Sequence, residues 1–226
     1  MFPLGILCQG DSSAVLLLKF NGTDGSTTFI DSGRYNHTIT AFNGASPTIQ
    51  SNSGYFTDAF GVLSIFMGEN FNPTTYSGDF TIEAIVNTVA FDGSYRGIIG
   101  RRFNNSASDW VLYVEPSGQP AFLVSFTDGS SAYILHQNSI TANTDAHIAA
   151  VRVGGVIWLY VDGVKSDTSI DMTTKTIRFE GSSTATHIGK LSYVISNNSM
   201  NGYIRDLRIK KQAVYAATFT PPLALT

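Results

Sequence analysis

No feature restricts the fold of this chain more than the two runs His147–Val153 and Val156–Val161, which are separated only by Gly154 and Gly155. Two adjacent glycines supply the positive φ angles that both central positions of a tight hairpin turn require. In the first arm, Ile148, Ala150 and Arg152 alternate with His147, Ala149, Val151 and Val153. In the second, Val156, Trp158 and Tyr160 alternate with Ile157, Leu159 and Val161. Both faces of the hairpin are substantially apolar, which places it in the middle of packed layers rather than at an edge. FTIEAIVN at Phe80–Asn87 sets Phe80, Ile82, Ala84 and Val86 against Thr81, Glu83, Ile85 and Asn87, the pattern of a half-buried strand. The same alternation predicts consecutive antiparallel strands at Trp110–Glu115, Ala121–Phe126 and Ala132–Gln137. Turn formers cluster between the strands, at Asn21–Gly25, Asn43–Ser46, Asp92–Ser94, Asp128–Ser131 and Asp162–Gly163. No helical period persists.

A chain of 226 residues buries a sizeable core, and without a Pro/Ser/Gly-rich linker it reads as an arm, residues 1–13, followed by one sandwich, residues 14–226. The net charge of -3 is dispersed, which argues against nucleic acid as a partner. The densest basic group, Arg205, Arg208, Lys210 and Lys211, reads as a solvated strand edge. The single cysteine excludes an intramolecular disulfide. Cys8 follows LGIL, but Leu7 is too bulky for the residue before a lipoprotein cysteine, and no basic start precedes it. VLLLKF is too short to span a bilayer, so no membrane insertion is expected.

Several phrases in order carry a resemblance. VLLLKFNGTDGSTTFIDSGRYNHTIT, FTIEAIVN, HIAAVRVGGVIWLYVDGV, HIGK and NGYIRDLRIKKQAVYAATFTPP resemble the laminin-G-like branch of the concanavalin A-like lectin/glucanase superfamily, especially the domains of bacteriophage virion proteins. Ala84 and Ile85 stand where those domains often have tryptophan, and Asp145–Ala146 replace another. The resemblance implies an all-β, two-sheet antiparallel jelly-roll sandwich. It further implies a non-enzymatic virion protein, a surface decoration or receptor-facing tail component, made in the host cytoplasm without a signal peptide and displayed on the virion surface. Its partners would be other virion proteins and its own copies in a homo-oligomer, with Phe2, Leu4, Ile6 and Leu7 of the apolar arm as contact residues. The alternative is a carbohydrate-binding lectin for host cell-surface glycan, with calcium as a candidate ion. A glycan hydrolase is the third reading.

The residues bear unequally on these readings. Glycoside hydrolysis needs two carboxylates flanking the bond, and the run of alternating acids found in the glucanase branch is missing. Glu83 has Thr81 and Ile85 as same-face neighbours, Glu115 precedes Pro116, and Glu180 precedes Gly181, so they read as isolated surface or structural acids and no catalytic residue is assigned. His37, His136, His147 and His187 are scattered over separate elements, without the spacing of a zinc site or a triad, and read as packed or edge residues. Calcium seeks converging oxygens. Antiparallel strands would bring the loops at 103–109, 127–131 and 154–155 to one end, making Asn104, Asn105, Asp109 and Asp128 a candidate rim, with Asp109 and Asp128 as metal ligands. A sugar also needs an aromatic platform. Phe103 and Tyr133 supply it beside Asn104, Asn105 and Asp128, whereas Trp110 and Trp158 read as core.

Overall fold

A computed structural model describes residues 11–42, 46–57, 61–72, 77–102, 108–179, 185–191 and 198–226. Fifteen strands are formed among them: β1 Ala14–Leu18, β2 Ile39–Phe42, β3 Thr48–Gln50, β4 Ser53–Phe56, β5 Val62–Ile65, β6 Phe80–Thr88, β7 Arg96–Arg102, β8 Ser108–Val114, β9 Pro120–Ser125, β10 Ser131–Leu135, β11 Ala146–Val153, β12 Val156–Val161, β13 Val164–Asp171, β14 Thr186–Ile188 and β15 Gly202–Lys210. The helical content of the described residues is one 3-10 turn, Gly68–Phe71, and no helix among them is long and apolar enough to cross a membrane.

The strands build two facing sheets. The first runs β13-β12-β11-β6-β15-β4-β3, with β1 also beside β15; the second runs β10-β9-β8-β7-β14-β5-β2. The ladders between named strands are antiparallel, giving the expected all-β sandwich. The hairpin at Gly154–Gly155 forms with φ of 58° and 85°, and the strands expected near residues 110, 121 and 132 are β8, β9 and β10.

Alternation assigns the inner faces. Phe80, Ile82, Ala84 and Val86 of β6, Ile148 and Ala150 of β11, and Ile157 and Leu159 of β12 meet Trp110, Leu112, Phe122 and Val124 of the second sheet in one core. Phe71 stacks edge-on against both Phe80 and Trp110, with centroids 5.8 Å apart in each pair. Trp110 is thus core, as expected, and Trp158 lies under the Lys165 ammonium, 3.6 Å from the ring centroid.

Two expectations are corrected by the outer face of the first sheet. β6 is buried on both faces rather than one, because the tail that follows β15 folds back over it. Ala149, Val151 and Tyr160 pack there against Ala213, Tyr215 and Phe219, while Ile85 joins Ala14, Leu17 and Leu225. The basic residues of β15 are likewise no solvated edge, since β15 lies between β6 on one side and β4 and β1 on the other. Arg208 is buried under the tail and Lys210 pairs with Asp11 at 2.6 Å. A short-range period shows that a face exists, not what covers it.

Candidate functional site

A groove on the outer face of the first sheet brings together amide, hydroxyl, carboxylate and guanidinium side chains. It begins at the β3–β4 hairpin, where Ser51 and Asn52 adopt φ of 50° and 57°, the double left-handed turn that suits the twist of a two-residue hairpin. The turn is pinned by Ser51 N–H donating to Asp24 Oδ1 at 2.8 Å. Beside it, strand register lines up Thr48, Tyr55, Tyr203 and Asn87 across β3, β4, β15 and β6, so these residues share one face. The rings of Tyr55 and Tyr203 lie 5.0 Å apart, which fixes Tyr203 while leaving it half-exposed.

Asp145, immediately before β11, closes the far wall. Its Oδ1 accepts from Asn87 Nδ2 at 3.0 Å and its Oδ2 from Arg205 Nη1 at 2.8 Å. Gln50, Ser51, Asn52, Ser53, Asn87, Asp145, Tyr203 and Arg205 line a cavity of about 410 Å³. Across the Asp145–Arg205 pair lies a second cavity of about 250 Å³, lined by Ile85, His147, Asp162, Pro221, Pro222 and Leu223 as well as that pair.

The floor beneath the second cavity is a buried polar network. Glu83 Oε1 accepts from Arg208 Nε and Nη2 at 2.8 and 2.6 Å, and its Oε2 accepts from His147 Nε2 and Tyr215 Oη, both at 2.9 Å. Burial alone would raise the Glu83 pKa, but the His147 hydrogen bond and the Arg208 charge hold it below the usual carboxylate range. Tyr215 moves the other way, pushed up by burial and then by the charge and hydrogen bond of Glu83. Glu83 is therefore one of the expected structural acids, and a buried one. With all four approaches taken by donors, it is arranged to hold the tail, not to transfer a proton.

The other histidines also serve packing. His37 Nδ1 and its backbone N–H bind Asp31 Oδ2 at 2.7 and 2.9 Å, while Asp31 Oδ1 accepts from the amides of Leu17 and Gly33, which fastens the segment after β1. His136 joins the two sheet edges, its Nε2 meeting Val164 O at 3.0 Å while Nδ1 accepts from Asn138 N–H. His187 is nearly buried in β14, and burial, then the Lys190 charge, hold its pKa down at about 4.

The sequence-predicted rim fares differently. Phe103, Asn104 and Asn105 lie outside the described residues, as do Phe2, Leu4, Ile6 and Leu7 of the arm. Tyr133 is 62% exposed on the edge strand β10. Asp109 is no loop residue: it is buried in β8, with Oδ2 3.3 Å from Arg101 Nε and Oδ1 4.0 Å from Arg178 Nε. Asp128 sits in a turn with Lys175 Nζ at 2.5 Å, and this hydrogen bond and that of Ser130 hold its carboxyl well below the ordinary range. Asp109 thus faces Arg101 and Arg178, and Asp128 faces Lys175. Among the described residues no three His, Cys, Asp or Glu side chains converge on a metal position.

The family model described as concanavalin A-like lectin/glucanases superfamily, laminin-G type, matches residues 67–218. The chain belongs to this superfamily. No curated protein sequence matches it significantly. Among solved structures, this lectin-like sandwich is similar to the binding domain of botulinum neurotoxin serotype G, with TM-score 0.67 and 14% identity over 89% of this chain and 48% of that one. The binding domain of botulinum neurotoxin DC in complex with rat synaptotagmin II gives TM-score 0.64 and 20% identity over 90% of this chain and 49% of that one. That of Paraclostridial Mosquitocidal Protein 1 gives 0.65 and 18% over 90% and 50%. The chain thus spans about half the length of these binding domains, and at such identities the likeness shows the fold alone. Within this laminin-G-type chain, Asn87, Asp145, Tyr203 and Arg205 fall inside the family match, whereas Gln50–Ser53 and Pro221–Leu223 fall outside it.

Proposed function

We propose that this laminin-G-type chain is a non-catalytic recognition module that binds a glycan in the groove lined by Gln50, Asn52, Asn87, Asp145, Tyr203 and Arg205. The observation that carries the reading is the half-exposed Tyr203 ring, fixed by Tyr55 and flanked by side-chain amides and an ion-paired carboxylate, in a cavity of about 410 Å³. Such a volume is typical of small-ligand sites. The ring offers a platform for the apolar face of a pyranose, and the amides and the carboxylate accept or donate to its hydroxyls.

Hydrolysis has less support. Among the described residues Asp145 is the one carboxylate lining the polar cavity, and it is held by Asn87 and Arg205; Asp162, in the neighbouring cavity, accepts the His147 backbone N–H at 2.8 Å. An acid and a base poised on opposite sides of a glycosidic bond would need to be less committed. The likeness to toxin binding domains, one of them solved with synaptotagmin II, supports a recognition role for the sandwich. Placement on a phage virion rests on the sequence resemblance alone; the receptor-facing part of that expectation is what the fold supports.

The test is glycan binding by purified wild-type protein and by Tyr203→Ala, with and without a chelator. Loss of the ring should weaken binding by about ten-fold, since stacking and desolvation of this kind contribute on the order of 1 kcal/mol or more. Binding that is unchanged in Tyr203→Ala, or that vanishes with chelator, would move the site to the opposite candidate, the loops around Asp128.

A further inference from the structure

We infer that β10 is the edge through which two copies of this chain associate, pairing antiparallel about a two-fold axis at Tyr133 so that their second sheets join into one. The inference stands apart from the glycan reading and adds a consequence to it.

β10 ends the second sheet, with β9 as its partner on one side. Phe126 N–H donates to Ser130 O and His136 N–H to Pro120 O, both at 2.9 Å, and these bonds set the phase of the ladder. Because antiparallel ladders alternate, Ala132 and Ile134 bond to β9, while Ser131, Tyr133 and Leu135 turn their N–H and C=O groups outward. Among the described residues these outward groups have no protein partner.

The neighbouring edge is treated differently. β13 ends the first sheet on the same side, where His136 reaches Val164 O. The Gln137 side chain caps that edge, Nε2 donating to Lys165 O at 3.0 Å and Oε1 accepting from Asp167 N–H at 3.1 Å. β13 also carries Lys165, Asp167 and Asp171, and its ladder with β12 is bulged. Covering, charge and bulges are the devices that keep an edge from pairing. β10 has none of them over Ser131–Leu135. Its ladder with β9 is regular, it holds no charged residue or proline, and Tyr133 and Leu135 are 62% and 36% exposed.

A strand edge of this kind is completed by another strand, and the side chains of β10 fit a second β10. Turned antiparallel about Tyr133, Ser131 of one copy meets Leu135 of the other, Ala132 meets Ile134, and Tyr133 meets Tyr133. Each large aliphatic side chain thus faces a small one, and the two tyrosine rings lie side by side at the axis. Self-pairing sets no like charges opposite one another, because the strand has no charge. All three outward residues form hydrogen-bonded pairs at once, and the edge of each copy is used up, which closes the assembly at two.

Paired residues share a face, so the axis stands perpendicular to the sheet. Both first sheets then lie on one side of the joined second sheet, and both Tyr203 grooves face the same way. Two weak sites in that arrangement engage one glycan-covered surface together.

The experiment is analytical sedimentation of the full chain across micromolar concentrations, for wild type, Tyr133→Lys, Tyr133→Glu and the two variants mixed. Wild type should sediment as a dimer. Each variant, with like charges at the axis, should sediment as a monomer with its far-UV spectrum unchanged, and the mixture should recover a dimer. Tyr133→Lys should keep the wild-type affinity for a monovalent glycan in solution and lose about ten-fold or more on a dense glycan surface. A monomeric wild type, a dimer indifferent to Tyr133→Lys, open-ended growth, or variants that stay monomeric when mixed overturns the inference and leaves the Tyr203 groove standing. A dimer that obeys the charge swap but binds no glycan supports the inference and overturns the glycan reading alone.

Discussion

Glu83 and Arg208 are 125 residues apart in the chain and meet as a buried, two-pronged ion pair, Oε1 receiving Nε at 2.8 Å and Nη2 at 2.6 Å. The pair lies on the outer face of the first sheet, where Tyr215 and His147 complete it and the tail closes over it. Because the same tail supplies Pro221, Pro222 and Leu223 to the groove, this buried network sets the shape of a surface site without touching its ligand.

Removing the charge should therefore cost stability first. Glu83→Gln removes the carboxylate that Arg208 meets at 2.6 Å and leaves it Asp11 at 3.8 Å, and urea unfolding should show a loss of about 3 kcal/mol. The double replacement Glu83→Leu with Arg208→Met should recover much of it, because neither charge then remains to be desolvated. A Glu83→Gln protein as stable as wild type would mean that the tail is held by its apolar contacts alone.

Gly163 tests the tail from the other side. It adopts φ of 77°, its carbonyl accepts Phe219 N–H at 3.1 Å, and a Cβ built on it would lie 1.8 Å from the Phe219 oxygen. Gly163→Ala should lift this part of the tail, where Phe219 stacks on Tyr215 at 3.6 Å. The expected readout is faster proteolysis after residue 211 and weaker glycan binding, with the far-UV spectrum of the sandwich retained. A tail equally protected in the variant would contradict this placement.

Acid should destabilise the fold below neutrality through His187. Burial and the Lys190 charge hold its pKa at about 4 in the folded chain, against 6.5 for the unperturbed group. Between those values the unfolded chain binds a proton that the folded chain refuses. Stability from this group is thus complete above about pH 6.5 and declines as pH falls toward 4, by up to about 3 kcal/mol. Glu83 and Asp31 act lower: burial opposes ionisation in both, but hydrogen bonds, led by those of His147 and His37 respectively, keep their folded pKa values lowered. Their contribution is present above the unfolded carboxylate range and is lost as pH falls from there through the lowered folded values. A His187→Gln variant should lose the decline between pH 6.5 and 4 and keep the lower one, as measured by denaturant unfolding at a series of pH values.

Most of the architecture was legible because a strand's period is local. Phe80, Ile82, Ala84 and Val86 announce an inner face wherever the chain goes next, and Gly154–Gly155 and Asp162–Gly163 announce their turns by backbone chemistry alone. The groove was not legible. Tyr203 and Asn87 become neighbours only through the β15–β6 register, and Tyr55 through β15–β4, none of which a period of two can specify. The cluster SNSG at Ser51–Gly54 was the available signal, a turn-forming group between two short apolar runs. Asp109 was misplaced for a related reason: its type suggests a loop, whereas burial in β8 is balanced by Arg101 and Arg178, which come from other elements.

The most direct test of the recognition surface is an amide-resolved NMR titration of the labelled chain with the glycan that binds it most tightly. The expected result is a set of shift changes at Gln50–Ser53, Asn87, Asp145, Tyr203 and Arg205, together with Leu223, and little change near Asp128 and Tyr133. Changes concentrated around Asp128 and Tyr133 instead, with the Tyr203 groove silent, would contradict the assignment.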